Sequence, residues 1–265
     1  MPAPTSSILD RFSLRGKTVV VTGASGLYGS LFARALAEAG AHVVLTSRDA
    51  SRAEESADAL RLDGLEASGV ALDLSDADDT TRFAAEFAEH YGTADVLVNN
   101  AVHRAGRGLF DTSVEEWEST SAVNSRGLFH VTQALARGMV ARGSGSIVNI
   151  GSIYGLVAPD FSVYEGTGMT MPAFYSYDKA GMVGFTRYLA AALGPHGIRV
   201  NCVCPGGLRA EGQDERFVSA YEDRVPLGRL ADEDDVTGTL VYLASDAAAY
   251  VSGAVIPVDG GWSAM

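Results

Sequence analysis

Apolar residues follow two alternating patterns along this chain. Short runs rich in Val and Ile, bounded by Gly, Asn, Asp or Ser, predict buried strands, and they lie at 17–23, 42–48, 69–75, 95–101, 146–152, 198–204 and 254–261. Between them, apolar residues recur every three or four positions, which predicts helices, for example at 30–40, 51–60, 78–92, 113–140 and 180–194. Ser113 and Glu116 have the spacing of a capping box at the start of one helix. The alternation predicts an α/β fold, a doubly wound parallel sheet of about seven strands with helices on both faces.

Nothing in the composition divides the 265 residues, so we predict one domain over 1–265. Residues 1–15 form a polar lead-in. The segments 156–172 and 208–230 are longer than the scaffold requires, and we predict that they are substrate loops. In a doubly wound sheet the ligand lies beyond the carboxyl ends of the strands. We therefore expect the residues that follow the strands to share one crevice.

Charge and targeting patterns exclude several classes of protein. The chain has 20 basic and 33 acidic residues and a net charge of −13, which argues against a nucleic-acid surface built from clustered Lys and Arg. Residues 1–15 lack a secretory-signal pattern, and no apolar run approaches the ~20 residues that cross a bilayer. We therefore predict a cytoplasmic protein with no membrane partner. The two cysteines, Cys202 and Cys204, lie in an apolar run that suits neither a disulfide framework nor a metal site, so no metal is predicted.

A glycine-rich turn follows the first predicted strand and precedes a helix. Gly23, Gly26 and Gly29 would let the backbone approach a pyrophosphate, whose charge a helix N-terminus favours. A tight turn without a ligand explains the same spacing equally well. Ser47 and Arg48 follow the second strand, and an Arg there suits the 2′-phosphate of NADP, whereas an acidic residue would suit NAD. NADP(H) is therefore favoured and NAD(H) is possible, with a solvated Arg48 as the alternative reading.

Tyr175 and Lys179 lie four residues apart in a predicted helix, so their side chains share a face. A nearby ammonium stabilises a phenolate and lowers a pKa that starts near ~10, as an acid/base group working near neutral pH requires. Tyr177 would point elsewhere. An ordinary surface pair has the same spacing, so this pair needs support from other residues.

Taken together, the motifs resemble the short-chain dehydrogenase/reductase family from residue 16 to residue 261. They are TGASGLYG at the first turn, Asp73-Leu74, Asn99-Asn100-Ala101, Asn124 in a mid-chain helix, Ser152 after the fifth strand, YSYDK at 175–179, GIRVNCVCPGG and the closing VDGG. Each motif is weak alone, and their joint order carries the resemblance. It implies a Rossmann-type domain and an NAD(P)-dependent oxidoreductase that moves a hydride between the nicotinamide and a carbonyl/secondary alcohol pair.

The resemblance also implies roles for single residues. Tyr175 would exchange a proton with the substrate oxygen, and Ser152 would hydrogen-bond that oxygen. Lys179 would lower the Tyr175 pKa and bind the ribose, and Asn124 would hold a water that links Lys179 to solvent. The implied cofactor contacts, besides Tyr175 and Lys179, are Gly23, Ser25, Gly26, Leu27, Gly29, Arg48, Asp73, Leu74, Asn100, Pro205 and Leu208. A strand-end turn for Ser152 and a polar helix-interior position for Asn124 are the structural alternatives.

The chain departs from the family pattern at three places. Leu27 stands where the middle glycine of the turn is usual, Val102 replaces the glycine of Asn-Asn-Ala-Gly, and Ala210 stands where a Thr often follows Pro-Gly. These changes put the phosphate contacts and one hydroxyl near the nicotinamide in doubt.

The long segment between Ser152 and Tyr175 and the opening ILDRFSLRGK resemble family members that act on sugars and sugar acids. The segment offers Tyr164, Glu165, Thr167, Thr170 and Met171. Groups that could bind a carboxylate or phosphate are His103, Arg104, Arg107 and Arg209. We predict a polar, sugar-like substrate. The alternatives are reduction of 3-oxoacyl or other apolar ketones, and a non-catalytic regulatory protein that binds NAD(P).

The apolar helices, such as 180–194, are expected to be buried between subunits. The resemblance implies a homotetramer built from two-fold pairs, or a homodimer.

Overall fold

The computed structural model describes residues 7–265, so the first six residues of the predicted lead-in lie outside it. Seven strands form one parallel sheet in the order β3-β2-β1-β4-β5-β6-β7. They are β1 (Thr18–Val21), β2 (His42–Ser47), β3 (Ala67–Ala71), β4 (Val96–Asn99), β5 (Gly145–Ile150), β6 (Ile198–Pro205) and β7 (Val255–Val258). The helices of the described residues are α1 (Leu27–Glu38), α2 (Ala50–Leu62), α3 (Ala77–Tyr91), α4 (Val114–Ser121), α5 (Leu128–Arg142), α6 (Ala173–Leu193), α7 (Glu215–Arg224) and α8 (Thr237–Ala244). The predicted doubly wound α/β fold is confirmed.

Alternate residues of each strand face opposite layers of helices. In β1, Val19 and Val21 pack in a core with α1, α2 and α8, where Phe32 is fully buried. Val20 points the other way, into a core with α3, α5 and α6 that contains Phe83. Because both faces are covered, the strands are apolar on both sides, which explains why they occur in the sequence as continuous apolar runs.

Every neighbouring pair of strands is parallel, so no two of them are joined by a hairpin. Val19 of β1 pairs with Val43 of β2 on one side and with Val96 of β4 on the other. The chain therefore moves outward from β1 to β3 and then returns to the far side of β1. At this reversal the connections leave the sheet in opposite directions, and a crevice opens beyond the carboxyl ends of the strands.

Some element boundaries differ from the predictions. The predicted strand 69–75 begins earlier and ends at Ala71, because Asp73 turns the chain by accepting hydrogen bonds from the backbone and hydroxyl of Ser75. The predicted helix 113–140 begins with the expected Ser113 capping box but contains a π-helical turn at Ala122–Gly127 between α4 and α5. Among residues 7–265, no helix combines the length and apolarity that a membrane span needs.

The predicted loop 208–230 contains helix α7, which was not predicted. Asp214 caps α7 by accepting from the backbone N–H of Arg216. The helix is short and mostly polar, and it buries Phe217, Val218 and Tyr221 on one face.

A third apolar core, the cap cluster, lies outside the two sheet layers and joins both predicted substrate loops. Its members are Ile153, Tyr154, Val163, Tyr164, Phe174, Tyr175, Phe217, Val218, Tyr221, Val225, Leu230 and Trp262. Tyr164 stacks on Phe217 with ring centroids 5.6 Å apart, and Arg224 of α7 pairs with Asp160 at 3.3 Å. The cap cluster therefore holds 156–172 and α7 together as one wall above the sheet.

Candidate active site

A cavity of about 970 Å³ lies at the carboxyl ends of the strands. It extends from the β1–α1 turn and the end of β2, past β5, to α6 and α7. Every predicted cofactor residue lines it, namely Gly23, Ser25, Gly26, Leu27, Gly29, Arg48, Asp73, Leu74, Asn100, Tyr175, Lys179, Pro205 and Leu208. The predicted crevice thus gathers residues from the ends of separate strands into one volume large enough for a dinucleotide and a small substrate.

Two glycines of the first turn are required by the packing of the backbone. Gly23 has φ +65°, and a Cβ there would lie 2.7 Å from the Cα of Ala101. A Cβ on Gly29 would lie 2.4 Å from the carbonyl oxygen of Gly23. Leu27 replaces the expected middle glycine. It is the first residue of α1 and is 54% exposed. The turn therefore keeps its close approach, and the free N–H groups at the start of α1 border the cavity.

Two guanidinium groups border the cavity after β2. Asp49 also lines the cavity, but its carboxylate caps α2 by accepting from the backbone N–H groups of Ser51 and Arg52. Arg48 and Arg52 both line the cavity beside Ser47. Arg52 was not predicted. It lies in the first turn of α2, close to Arg48 along the chain, and this position could have indicated that its side chain reaches the cavity.

The proton-transfer residues that were predicted come together where β5 meets α6. Tyr175 and Lys179 are 9% and 5% exposed, although both line the cavity. Lys179 Nζ donates to the carbonyl of Ile150 at 2.6 Å and lies 5.7 Å from the centroid of the Tyr175 ring. Ser152 lies two residues after the end of β5 and accepts from the backbone N–H of Tyr154 at 3.2 Å. Sequence-distant segments thus bring a hydroxyl, a phenol and an ammonium to one side of the cavity.

A second cation contacts the Tyr175 phenol. Arg104, in the loop after β4, donates from Nη2 to the Tyr175 hydroxyl at 3.2 Å, and its Cζ lies 4.6 Å from the ring centroid. Within residues 7–265, no carboxylate oxygen lies within 4.0 Å of the Arg104 nitrogens. A guanidinium that has no anionic partner in the described part of the chain therefore faces the cavity beside the phenol.

Both cations change the acidity of Tyr175. Burial opposes ionisation of the phenol and raises its pKa, but the positive charges of Lys179 and Arg104 and hydrogen bonding from Ser152 outweigh burial. The pKa of Tyr175 consequently lies below the usual value of a tyrosine. This is the direction that an acid/base group working nearer to neutral pH requires.

Asn124 does not line the cavity. It lies in the π-helical turn, where its side chain is 8% exposed and bonds to the backbone of His103 and to Asp178. Its predicted water-holding role stays a prediction.

The predicted substrate residues divide into two groups. Those that line the cavity are His103, Arg104, Tyr164, Thr170 and Met171. Arg107, Glu165, Thr167 and Arg209 do not line it, and Arg209 instead pairs with Glu215 at 2.9 Å. All of these residues lie outside regular helices and strands or in a short 3-10 turn, so no periodic pattern in the sequence separates those that line the cavity from those that do not.

Further lining residues were not predicted, among them Tyr28, Gln213, Phe217 and Tyr221. Tyr28 donates to the carbonyl of Gly206 at 3.1 Å, and the Tyr221 hydroxyl accepts from the Gly207 N–H at 2.6 Å. Burial raises the pKa of Tyr221 to about 12, so this phenol is neutral near pH 7. Tyr28 follows Leu27 in the glycine turn, and only the fold shows that its ring reaches across to the loop after β6.

The part of the chain from residue 7 onward contains no group of three or more His, Cys, Asp or Glu side chains arranged to hold a metal ion.

Comparisons with known proteins were consistent across sequence and structure. Residues 24–263 match the family model described as enoyl-(acyl carrier protein) reductase. The 3-oxoacyl-[acyl-carrier-protein] reductase of Pseudomonas aeruginosa is 36% identical over 94% of this chain and 98% of its own length. The gluconate 5-dehydrogenase of Gluconobacter oxydans is 34% identical over 95% of this chain and 96% of its own length. A crystal structure of gluconate 5-dehydrogenase from Burkholderia cenocepacia, in complex with NADP and tartrate, superposes with a TM-score of 0.90 at 32% identity, covering 98% of this chain and 100% of that one.

Proposed function

The chain belongs to the short-chain dehydrogenase/reductase family and is an NAD(P)-dependent oxidoreductase acting on CH–OH donors, and from this premise we propose that its substrate is a small hydroxy acid of the sugar-acid type and that NADP(H) is its preferred cofactor. The observation that carries the substrate proposal is the Arg104 guanidinium, which lies beside the Tyr175 hydroxyl and has no carboxylate partner among residues 7–265. The earlier alternative of a non-catalytic binding protein has no further support.

A carboxylate is the group that Arg104 would recognise. A planar guanidinium binds a carboxylate through two parallel N–H···O bonds, which fix the orientation of an acid as well as its position. Since Arg104 already contacts the Tyr175 hydroxyl, an acid bound to it would place a nearby hydroxyl carbon within reach of Tyr175. The tartrate bound to the Burkholderia cenocepacia gluconate 5-dehydrogenase is a hydroxy acid, which supports the same class for this chain.

The proposed chemistry assigns one task to each side chain. Tyr175 takes the hydroxyl proton during oxidation and returns it during reduction, while Ser152 donates a hydrogen bond to the same substrate oxygen. Lys179 stabilises the phenolate form of Tyr175. Asn124 holds a water that links Lys179 to solvent. The walls formed by the cap cluster exclude bulk water from the phenol, which strengthens the effect of both cations on it.

The cavity also fits a nicotinamide dinucleotide. When bound, this cofactor supplies or accepts the hydride. The free N–H groups at the start of α1 would hold its pyrophosphate, and Gly23 and Gly29 permit the tight backbone packing of the turn before it. Arg48 and Arg52 would bind a 2′-phosphate, which carries the preference for NADP(H).

A 3-oxoacyl or other apolar ketone is the second candidate substrate. Met169, Met171 and Phe217 give the cavity an apolar side, and the Pseudomonas aeruginosa relative is a 3-oxoacyl-[acyl-carrier-protein] reductase. An acyl chain would lie along these three side chains and would make no use of the Arg104 charge. The two candidates therefore differ in their dependence on Arg104.

Replacing Arg104 by Met is the test that separates these substrates. For hydroxy acids we expect kcat/KM to fall about 10- to 100-fold, since a hydrogen bond to a charged group contributes about 1.5–3 kcal/mol. For neutral secondary alcohols of the same size the fall should be much smaller, and the acid-to-alcohol ratio is the quantity to report. Arg107→Met is the matched control, because Arg107 lies in the same loop and does not line the cavity. Equal losses on acids and neutral alcohols would reject the proposed substrate class.

Replacing Arg48 and Arg52 together by Ala should change cofactor choice. We expect KM for NADP to rise about 10- to 100-fold while KM for NAD stays nearly constant, because only NADP carries the phosphate that these groups would bind. Steady-state kinetics with both cofactors measures this. Arg34→Ala is the control, since Arg34 pairs with Asp63 and does not line the cavity. An unchanged ratio of the two KM values would contradict the NADP preference.

Assembly into a homotetramer or homodimer stays a prediction. Exposed aromatic side chains on α5 and α6, Phe129 at 50% and Tyr188 at 66%, support it.

A further inference from the structure

Asp178 is a buried carboxylate that the proposed chemistry does not use. It lies on α6 next to Lys179, is 9% exposed and does not line the cavity. Its Oδ2 accepts from Asn124 Nδ2 at 2.8 Å, and its Oδ1 accepts from the Ser125 hydroxyl at 3.4 Å. Within residues 7–265, no Lys, Arg or His nitrogen lies within 4.0 Å of this carboxylate. Burying a carboxylate without an ion pair costs free energy. At this position the hydrogen bonds from Asn124 and Ser125 offset that cost.

The Asn124 side chain connects Asp178 to the loop after β4. Its Nδ2 donates to the carbonyl of His103 at 2.9 Å, and its Oδ1 accepts from the His103 N–H at 2.8 Å. Both polar groups of the His103 backbone are therefore held by one side chain. The next residue along the chain is Arg104, whose guanidinium lies over Tyr175.

The carboxylate also determines which way the Asn124 amide faces. An amide NH₂ has two N–H donors, and here one points to the His103 carbonyl and the other to Asp178. An ionised carboxylate is an acceptor only, so a rotated amide would place its oxygen against the carboxylate and its NH₂ against the His103 N–H. Asp178 thus permits a single amide orientation, and that orientation is the one that binds the His103 backbone at both ends.

We propose that Asp178 is a positioning residue, which acts through Asn124 and the His103 backbone to hold the Arg104 guanidinium beside the Tyr175 hydroxyl. The inference rests on the proposed function, since it assigns to Asp178 the placement of the group that binds the substrate carboxylate. Burial raises the pKa of Asp178 above the usual value of an aspartate, and hydrogen bonds from Asn124 and Ser125 offset burial only in part. The same α6 turn therefore carries Tyr175, which reacts, Lys179, which tunes it, and Asp178, which orients the substrate-binding loop.

The test is a double-mutant cycle between Asp178→Ala and Arg104→Met, measured on a hydroxy acid and on a neutral secondary alcohol of similar size. With Arg104 present, Asp178→Ala should raise KM for the acid about tenfold, within the range found for residues that act through an intermediary. It should change kcat for oxidation little at a pH above the Tyr175 limb, where loss of the Arg104 charge no longer alters the fraction of phenolate. In the Arg104→Met background the same substitution should have almost no further effect on KM. Asp178→Asn keeps an acceptor for Asn124 Nδ2 but can also donate to a rotated amide, so it should restore the affinity for the acid only in part.

Two measurements keep the test decisive if Asp178→Ala is less stable. Binding of NADPH, followed by its fluorescence, should be unchanged in every variant that retains the native circular dichroism spectrum. Asp178→Asn has nearly the same shape as the native side chain and can be measured in place of Asp178→Ala if that variant does not fold. Losses that add in the double mutant, or that are equal for the acid and the neutral alcohol, would overturn the positioning role. If Arg104→Met alone shows no selective loss on acids, the proposed substrate class fails. If it shows that loss while Asp178→Ala leaves KM unchanged, the positioning role fails and the substrate class stands.

Discussion

Tyr175→Phe is expected to lower kcat by about 10²- to 10⁴-fold, the range that a positioned general acid or base contributes. The substitution removes the hydroxyl to which Arg104 donates and keeps the buried ring. The fold and the Kd for NADP(H) should therefore be close to those of the unmodified enzyme. Single-turnover measurements with saturating cofactor would separate the chemical step from product release.

The pH dependence of Tyr175 has a definite sign. Oxidation of an alcohol needs the phenolate, so its rate should rise with pH through the Tyr175 pKa, which lies below the usual ~10. Reduction needs the neutral phenol and should fall with pH through the same range. Removing the Arg104 charge should move both limbs to higher pH, because that charge lowers the pKa.

Tyr177→Phe is the matched control for Tyr175→Phe. Tyr177 lies on the same helix but is 64% exposed and does not line the cavity. If Tyr175→Phe kept near-normal turnover with the same pH limb, another group would have to be the acid/base.

Trp262→Ala should be among the most destabilising single substitutions in the chain, at about 3–5 kcal/mol of unfolding free energy. Trp262 is 1% exposed, and its ring lies 4.5 Å from that of Tyr221 and 6.5 Å from that of Tyr154. The Arg224 guanidinium covers it at 5.2 Å. Truncation would leave a large void in the cap cluster, which rigid neighbours from three segments cannot fill. Urea unfolding followed by circular dichroism would measure the change.

Trp117→Ala is the comparison for this experiment, because it removes a side chain of equal size that is only partly buried. It should cost clearly less than Trp262→Ala. Since members of the cap cluster line the cavity where we propose that the substrate binds, Trp262→Ala should raise KM for the substrate more than KM for the cofactor. A loss of stability below about 1 kcal/mol would be typical of an ordinary position and would contradict the anchoring role.

The sequence predicted those parts of the molecule that depend on local pattern. Strands buried on both faces, such as β1 and β5, produce continuous Val and Ile runs that no solvent-exposed element shares. Most of the predicted cofactor residues lie at or shortly after the ends of these strands, so locating a strand end also located the cavity wall. The strand at Ala67–Ala71 was placed too late because Leu72 and Leu74 are buried beyond the strand end, and apolar pattern alone does not show where hydrogen bonding to the sheet stops.

The remaining features depend on pairs that lie far apart along the chain. Arg104 and Tyr175 are 71 positions apart, and nothing in either segment records that they touch. The Asn124 side chain bonds to His103 and Asp178, and its sequence position did not indicate these partners. Helix α7 escaped prediction because it is mostly polar, and its three buried residues face loops instead of the sheet. In each case the deciding interaction is made by tertiary packing.

The parallel strand order has a consequence for how this chain acquires its structure. Because no two strands are joined by a hairpin, each pairing must close a long loop before its hydrogen bonds can form. The central contact, between Val19 and Val96, is the extreme case, since two other strands and their helices intervene along the chain. Until it closes, β1 presents an unpaired apolar edge on which another unfolded chain could add. Refolding should therefore be slow for a protein of this size and should lose yield as protein concentration rises.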